Sequence, residues 1–282
     1  MDLRQLKRWF PVFVLPTLIA FCVAFLVPVG MGVWLSFHRF TTVTNARFVG
    51  LENYVRALTA DTGFVRALGF TALFAAVSIL VVNVLAFTLA LLLTRKRRGQ
   101  NLLRSVFFMP NLIGGIVLGY VFSLLINGVL GLWGLDITYA ARYGFWGLVL
   151  LNTWQLSGYM MVIYIAGLQN IPGSLLEAAA IDGASASTTL WRVKLPLVMP
   201  SITICTFLTL TNAFKLFDQN LALTAGAPEG ETRMLALDIY QTFYGRAGWQ
   251  GVGQAKAVLF FLLVALLAGL QLWLTRSREV DV

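Results

Sequence analysis

The chain has 282 residues, of which 59% are hydrophobic and 12% charged, with a net charge of +9 at neutral pH and a mean hydropathy of +0.80. A water-soluble globular domain is about half apolar and about a quarter charged, so this composition excludes that class. The positive balance does not describe a nucleic-acid binder either, because its basic residues flank apolar blocks instead of forming a patch of their own.

Six apolar spans are predicted, at 11–37, 67–94, 106–126, 144–168, 197–217 and 255–274. Each reaches the roughly 20 residues that a helix needs to cross the hydrocarbon of a bilayer. The expected fold is therefore all-α: a polytopic membrane protein whose residues 1–282 form a single transmembrane domain. Arg4, Lys7 and Arg8 precede the first span, which resembles a secretory signal. The run is too long and lacks a small-residue cleavage site, so it reads as an uncleaved span. The first two spans are overlong and imply tilt. Between them, Gly50 to Leu58 reads as a surface helix with Leu51, Tyr54, Val55 and Leu58 on its apolar side. The run Arg95-Lys96-Arg97-Arg98 follows the second span. With the N-terminus inside, twelve of the 21 lysines and arginines fall on the inner side and seven on the outer, which places both termini in the cytoplasm. Lys215 and Lys256 then sit at outer boundaries.

Gly115 and Gly119 in the third span form a G-x-x-x-G pattern, read as ordinary helix packing. In the last outer loop, about 218–254, Thr232 is placed to cap a helix carrying Leu235, Ile239, Tyr240 and Phe243 on one side. Lys215 and Asp218, three apart, read as a surface or gating ion pair near the outer end of the fifth span. Asn83, alone in the second span, reads as a packing residue. Cys22 and Cys205 lie in apolar spans and make neither a disulfide framework nor a zinc site. The single histidine, His38, reads as an interfacial residue. Nothing near it supplies a catalytic constellation.

The segment between the fourth and fifth spans is polar and rich in small residues. Ile171-Pro172-Gly173 stops the fourth helix, and Ser174 stands three residues before Glu177, a capping-box spacing. Gly183 is suited to the left-handed conformation that ends a helix. A second short helix begins at Ser185 or Ser187 and is expected to stop near Leu195, ahead of Pro196. The result is a helix–Gly–helix elbow on the basic side. Read alone, it is equally well a simple connection.

The full pattern is more specific: Glu177-Ala178-Ala179, then Asp182-Gly183-Ala184, then Leu195-Pro196 and Pro200. It resembles the EAA motif of binding-protein-dependent ABC-importer permeases. Asn152-Thr153-Trp154, Tyr159-Met160-Met161, Val49-Gly50-Leu51-Glu52-Asn53-Tyr54 and Leu223-Thr224-Ala225-Gly226-Ala227-Pro228 are similar to the maltose-type sugar branch of that family. Ala227 stands where the branch has a second glycine, which puts the geometry of that turn in question. The resemblance spans about 10–275.

The resemblance implies a permease of the bacterial inner membrane that pairs with a second, related permease as a heterodimer. Two copies of a cytoplasmic ABC ATPase and an extracytoplasmic solute-binding protein complete the system; the substrate is a carbohydrate. ATP and magnesium belong to the ATPase, and no cofactor is expected on this chain. The sequence agrees independently, since no Gly-x-x-x-x-Gly-Lys-Ser/Thr occurs and none of its lysines follows a glycine. The implied ATPase-coupling residues are Glu177, Ala178, Ala179, Asp182, Gly183, Ala184, Leu195 and Pro196. A sugar path needs amide, hydroxyl and aromatic groups at membrane depth, where polar residues are costly. Asn152, Gln155 and Tyr159, with Leu156, share a face of the fourth span; Thr209, Asn212, Ala213 and Leu216 form a stripe on the fifth. These positions match the sugar-lining ones of maltose-type permeases. Ala213 and Leu216 stand where polar residues occur there, so the solute is expected to differ from maltose. Each polar residue taken singly is also served by interhelical hydrogen bonding. Glycerol phosphate is the competing solute, and Lys215 keeps it open.

Overall fold

A computed structural model describes residues 3–94 and 99–276. The basic run 95–98 and Arg278 lie outside these residues, as do the side chains of Arg4, Lys7, Arg8 and Arg276. In chain order the helices are α1 (Leu3–Phe21), α2 (Val27–Ser36), α3 (Glu52–Thr59), α4 (Thr62–Leu93), α5 (Gln100–Phe108), α6 (Gly115–Leu130), α7 (Ala141–Gln169), α8 (Gly173–Ile181), α9 (Ala186–Thr189), α10 (Leu195–Leu197), α11 (Met199–Lys215), α12 (Asp218–Leu223), α13 (Leu235–Gly245) and α14 (Gln250–Arg276). Among the described residues the only strands are the paired dipeptides β1 (His38–Arg39) and β2 (Arg47–Phe48).

Five stretches are long and apolar enough to cross a membrane: Phe10–Ser36, Thr62–Leu93, Gly115–Trp133, Ala141–Gln169 and Gln250–Leu274. A sixth results if Ala186–Leu197 and Met199–Lys215, bent by 69° at Val198, count as one span. The 17 residues of α11 reach about 25 Å at the helical rise. The third span differs from the expected 106–126. Pro110 tightens the chain into a 3₁₀ turn over Met109–Leu112, Gly114 is extended, and the long helix starts only at Gly115.

Two prolines meet the same local solution. Pro28 follows a π-helical stretch over Cys22–Leu26, and Pro196 follows one over Leu190–Lys194. A proline inside an α-helix lacks an N–H and its ring collides with the carbonyl four residues back. A widened turn ahead of it moves that carbonyl aside. Pro196 therefore does not end the helix at Leu195 as expected. The helical path runs on to Leu197, and the bend falls at Val198, whose ψ is 2°.

The contacts divide the chain into two units, one of residues Met1–Phe64 with Ile239–Phe261, the other of Val65–Asp238 with Leu262–Val282. In the first unit, α3 forms where a surface helix was expected, with Leu51, Val55 and Leu58 exposed. Its other side buries Ala57 and Asn53, whose amide donates to the carbonyls of Ser36 and His38. His38 is buried against Trp34, at 3.9 Å between ring centroids, and its Nδ1 lies 2.7 Å from the Trp34 carbonyl. It is a packed residue of the hairpin.

The same unit contains a buried charge cluster. Asp61 stands just before α4 and accepts the Gly63 N–H on Oδ1, an N-terminal cap. Its Oδ2 accepts from Lys256 Nζ at 2.9 Å and Arg246 Nη1 at 2.8 Å, and Lys256 also donates to Thr242 Oγ1. Lys256 is fully buried and Asp61 nearly so. Lys256 is thus an interior partner within this unit.

In the second unit, Val82, Ala86, Ala90 and Leu93 line one face of α4 and pack with Leu156, Met160, Tyr164 and Leu168 of α7 and Cys205 of α11. Asn83 joins these helices: Tyr164 Oη donates to its Oδ1 at 2.7 Å, and its Nδ2 faces Thr209 Oγ1 at 3.3 Å. Glycine permits the closest approach. A Cβ on Gly158 of α7 would stand 1.8 Å from the Phe107 carbonyl oxygen, so only glycine lets α5 lie there.

Burial alone would raise the Asp61 pKa, but the Lys256 hydrogen bond and charge, the Arg246 charge and the Gly63 N–H overcome it and hold it below 3.8. A depressed carboxylate stabilises the fold above its unfolded pKa, and that contribution is lost as pH falls through the folded value. Replacing Asp61 by Ala removes a carboxylate from beside the buried Lys256 and is expected to cost about 3–5 kcal/mol at pH 7. Thermal unfolding of the purified protein in detergent measures this, and the gap to the unmodified chain should narrow on acidification below about pH 4.

Candidate functional site

The elbow after the fourth span is built from short-range chemistry. The N–H of Ala184 donates to the Ala179 carbonyl at 2.9 Å and that of Gly183 to Ala180 at 3.1 Å, the paired bonds of a Schellman ending. Gly183 has φ +73°, and a side chain there would meet nothing within 4 Å. Its glycine is thus required by backbone conformation alone. Ser185 caps α9, its Oγ accepting from the Thr188 N–H at 3.1 Å. The expected capping box at Ser174 does not form. Pro172 occupies the cap position, so Ser174 falls inside the first turn and makes no side-chain cap.

Of the expected coupling residues, Glu177, Ala178, Asp182 and Gly183 are exposed; Ala179, Ala184, Leu195 and Pro196 are half-buried. Beside them Ile181 and Trp191 are also exposed, at 86% and 65%. These two large apolar side chains on a polar elbow are additional candidates for contact with a partner. Single apolar residues in such short helical segments carry no periodic signal to mark them in advance. A cavity of about 530 Å³ lies behind the elbow, between Leu91 and Thr94 of the α4 end, Leu168 of α7, and Leu176, Leu190 and Lys194 of the elbow itself.

A second polar group lies half-way along α7. Gln155 donates to the Ile113 carbonyl at 3.1 Å and accepts from Gln219 Nε2 at 2.8 Å. Ile113 belongs to the break before α6, and Gln219 to the first turn of α12. Gly115 and Gly119 let α12 press against α6: their Cβ atoms would stand 2.8 Å from Asp218 Cβ and 2.6 Å from Ala222 Cβ. The expected Lys215–Asp218 ion pair is absent from the ion pairs of the described residues. α11 ends at Lys215, Leu216 leaves helical geometry with ψ 103°, and Asp218 starts a new helix, so the two no longer share a helical face.

The expected pathway residues fall into two groups. Gln155 and Tyr159 are half-buried and Asn212 is exposed. Asn152, Leu156, Thr209, Ala213 and Leu216 are buried within this chain. Thr209 donates to the Cys205 carbonyl and faces Asn83. The Asn152 amide nitrogen has no hydrogen-bond partner among the described residues.

The segment after α12 is more ordered than its composition suggests. Asn220 donates to the Thr232 carbonyl and to Thr224 Oγ1, and accepts the Met234 N–H; Thr232 Oγ1 donates to the Ala227 carbonyl. Thr232 is thus a loop clamp and does not cap α13, whose first N–H, at Leu235, donates to Thr71 Oγ1. Ala225, Gly226, Glu229 and Gly230 have positive φ and the Ala227–Pro228 bond is cis. Ala227 itself has no positive φ, so its replacement of glycine adds no backbone strain at that position.

Several helices long and apolar enough to cross a membrane, two of them bordered by polar breaks and two joined by an exposed elbow, define a multi-pass membrane protein. Residues 83–280 match the family described as "Binding-protein-dependent transport system inner membrane component". The chain is 42% identical to the "Probable starch degradation products transport system permease protein AmyD" of Thermoanaerobacterium thermosulfurigenes, over 97% of this chain and 96% of that one. It is 31% identical to the "Multiple sugar-binding transport system permease protein MsmF" of Streptococcus mutans, over 97% of each. A bacterial ABC transporter "involved in the import of the acidic polysaccharide alginate" shares the fold, with a TM-score of 0.81 at 19% identity over 97% of this chain and 98% of that one. The chain belongs to the binding-protein-dependent inner-membrane permease family. It is a multi-pass membrane transport subunit and not an enzyme.

Replacing Gln155 by Leu removes the donor to Ile113 and the acceptor for Gln219 together. Leaving a fully buried polar group unpaired costs about 1–3 kcal/mol, which is the upper bound for these half-buried ones. The variant should unfold at lower temperature in detergent, and normal thermal stability would show that the two breaks are held by other contacts.

Proposed function

We propose that the chain forms half of the transmembrane path of an ATP-driven importer for an oligosaccharide delivered by an extracytoplasmic binding protein. The observation that carries this reading is the end-to-end 42% identity to a permease named for starch degradation products. In this reading a second, related permease completes the path, and two copies of a cytoplasmic ABC ATPase, which bind ATP and magnesium, drive it. Both termini and the elbow are cytoplasmic. The 282 residues act as one transmembrane permease domain.

The elbow is the contact for the ATPase. Glu177 and Asp182 present carboxylates, Ala178, Ala179 and Ala184 keep the surface shallow, and Gly183 turns it. Leu195 and Pro196 join the elbow to α11. A neighbour's groove can approach such a surface to the backbone, and an exposed carboxylate beside it pairs with a cation of the partner. The path uses Gln155, Tyr159 and Asn212 on the open side of α7 and α11. Asn152, Leu156, Thr209, Ala213 and Leu216 support them from behind.

Two outcomes test the reading. A Cβ at Gly183 meets nothing within 4 Å, so Gly183→Leu costs chiefly the left-handed backbone penalty, about 1–2 kcal/mol. The variant should insert into the membrane yet lose uptake and the stimulation of ATP hydrolysis by loaded binding protein. Normal transport would refute the docking role. Replacing Tyr159 or Asn212 by Ala should lower maltotriose uptake by proteoliposomes while the complex still co-purifies; dissociation of the complex would mark them as assembly residues instead.

A further inference from the structure

The break between α11 and α12 carries two opposite charges to the middle of the bundle. Gln155 is fourteen residues from either end of α7 (Ala141–Gln169), and Gln219 bonds to it at 2.8 Å. Asp218, next to Gln219, lies against Gly115 at the first residue of α6. Lys215 closes α11 three residues earlier. The two residues therefore lie level with the middle of α7.

Both side chains are exposed on this chain, and neither has an ion-pair partner among the described residues. An ionisable side chain at membrane depth is too costly to face lipid and characteristically faces a partner, a water-filled cavity or a substrate path. Asn212, one turn before Lys215 on the same helix face, is exposed as well. The contrast with Asp61, which is buried and doubly paired, is plain.

We propose that Lys215 and Asp218 face the solute path as a charge filter, one of each sign on a wall that is neutral overall. Asp218 accepts hydrogen bonds from saccharide hydroxyls, and Lys215 donates to their oxygens. The balanced pair suits neutral oligosaccharides and gives uronic-acid chains or sugar phosphates no net attraction. The proposal rests on the permease reading above and deepens it by naming the charge class of the solute.

The test uses the importer assembled with its second permease, ATPase and binding protein in proteoliposomes at low salt. Asn212→Cys, in a Cys22→Ser background, reports the local potential through its reaction with cationic and anionic water-soluble methanethiosulfonates. The filter predicts that Asp218→Asn shifts the rate ratio toward the anionic reagent, and Lys215→Gln toward the cationic one, each by about fivefold. Asp218→Cys should itself be labelled from water. Absence of labelling at both reporters, or an unchanged ratio, overturns the proposal. So does loss of the second permease on purification of Asp218→Asn, which would assign the carboxylate to an ion pair between subunits. If the ratio shifts as expected while the unmodified importer takes up neither maltotriose nor longer neutral oligosaccharides, the filter stands and the oligosaccharide reading falls.

Discussion

The middle of this bundle depends on the side chain of Gln155. Two helices break at the same level, one after Pro110 and one after Lys215, and each break leaves backbone or side-chain polar groups without a helical partner. In lipid such groups cannot turn to water, so they must be satisfied by the protein. One amide does this for both, donating to Ile113 and accepting from Gln219. Because α12 is held there, Asp218 is held there too. The polar middle is thus a consequence of one hydrogen-bonded junction.

The elbow follows another logic. Its turn is local: a Schellman ending at Ala179–Ala184, a left-handed glycine and a serine cap. Its connection to α11 is not local in the same way. The π turn at Leu190–Lys194 lets the helix pass Pro196, and Val198 then redirects it by 69°. A short, internally bonded elbow joined through a bend transmits displacement as a unit, which is what a motor pulling on it requires in the proposed reading.

The two charge arrangements divide by solvation. In the first unit Asp61 is paired with the buried Lys256 and with the part-exposed Arg246, and their attraction to the carboxylate offsets its loss of water. Lys215 and Asp218 in the second unit have no such compensation within the described residues. One lysine is buried with its carboxylate and is structural; the other is open on this chain, and the proposed reading assigns it to the solute path.

Much of this was legible in the order of residues. Hydropathy set the apolar spans, Gly183 marked the elbow, Ser185 its second helix, and Asn83 was recognisable as a packing residue, because burial tendency and backbone preference are properties of a residue and its near neighbours. Other features were misjudged from spacing. Ser174 looked like a cap but is displaced by Pro172, Pro196 looked like a stop but is passed by a π turn, and Thr232 looked like a cap but clamps a loop. What only the tertiary structure decided is which distant groups meet. Gln155 lies 42 residues from Ile113 and 64 from Gln219. No local rule brings those groups together; the need to pair polar groups away from water does, once the helices are packed.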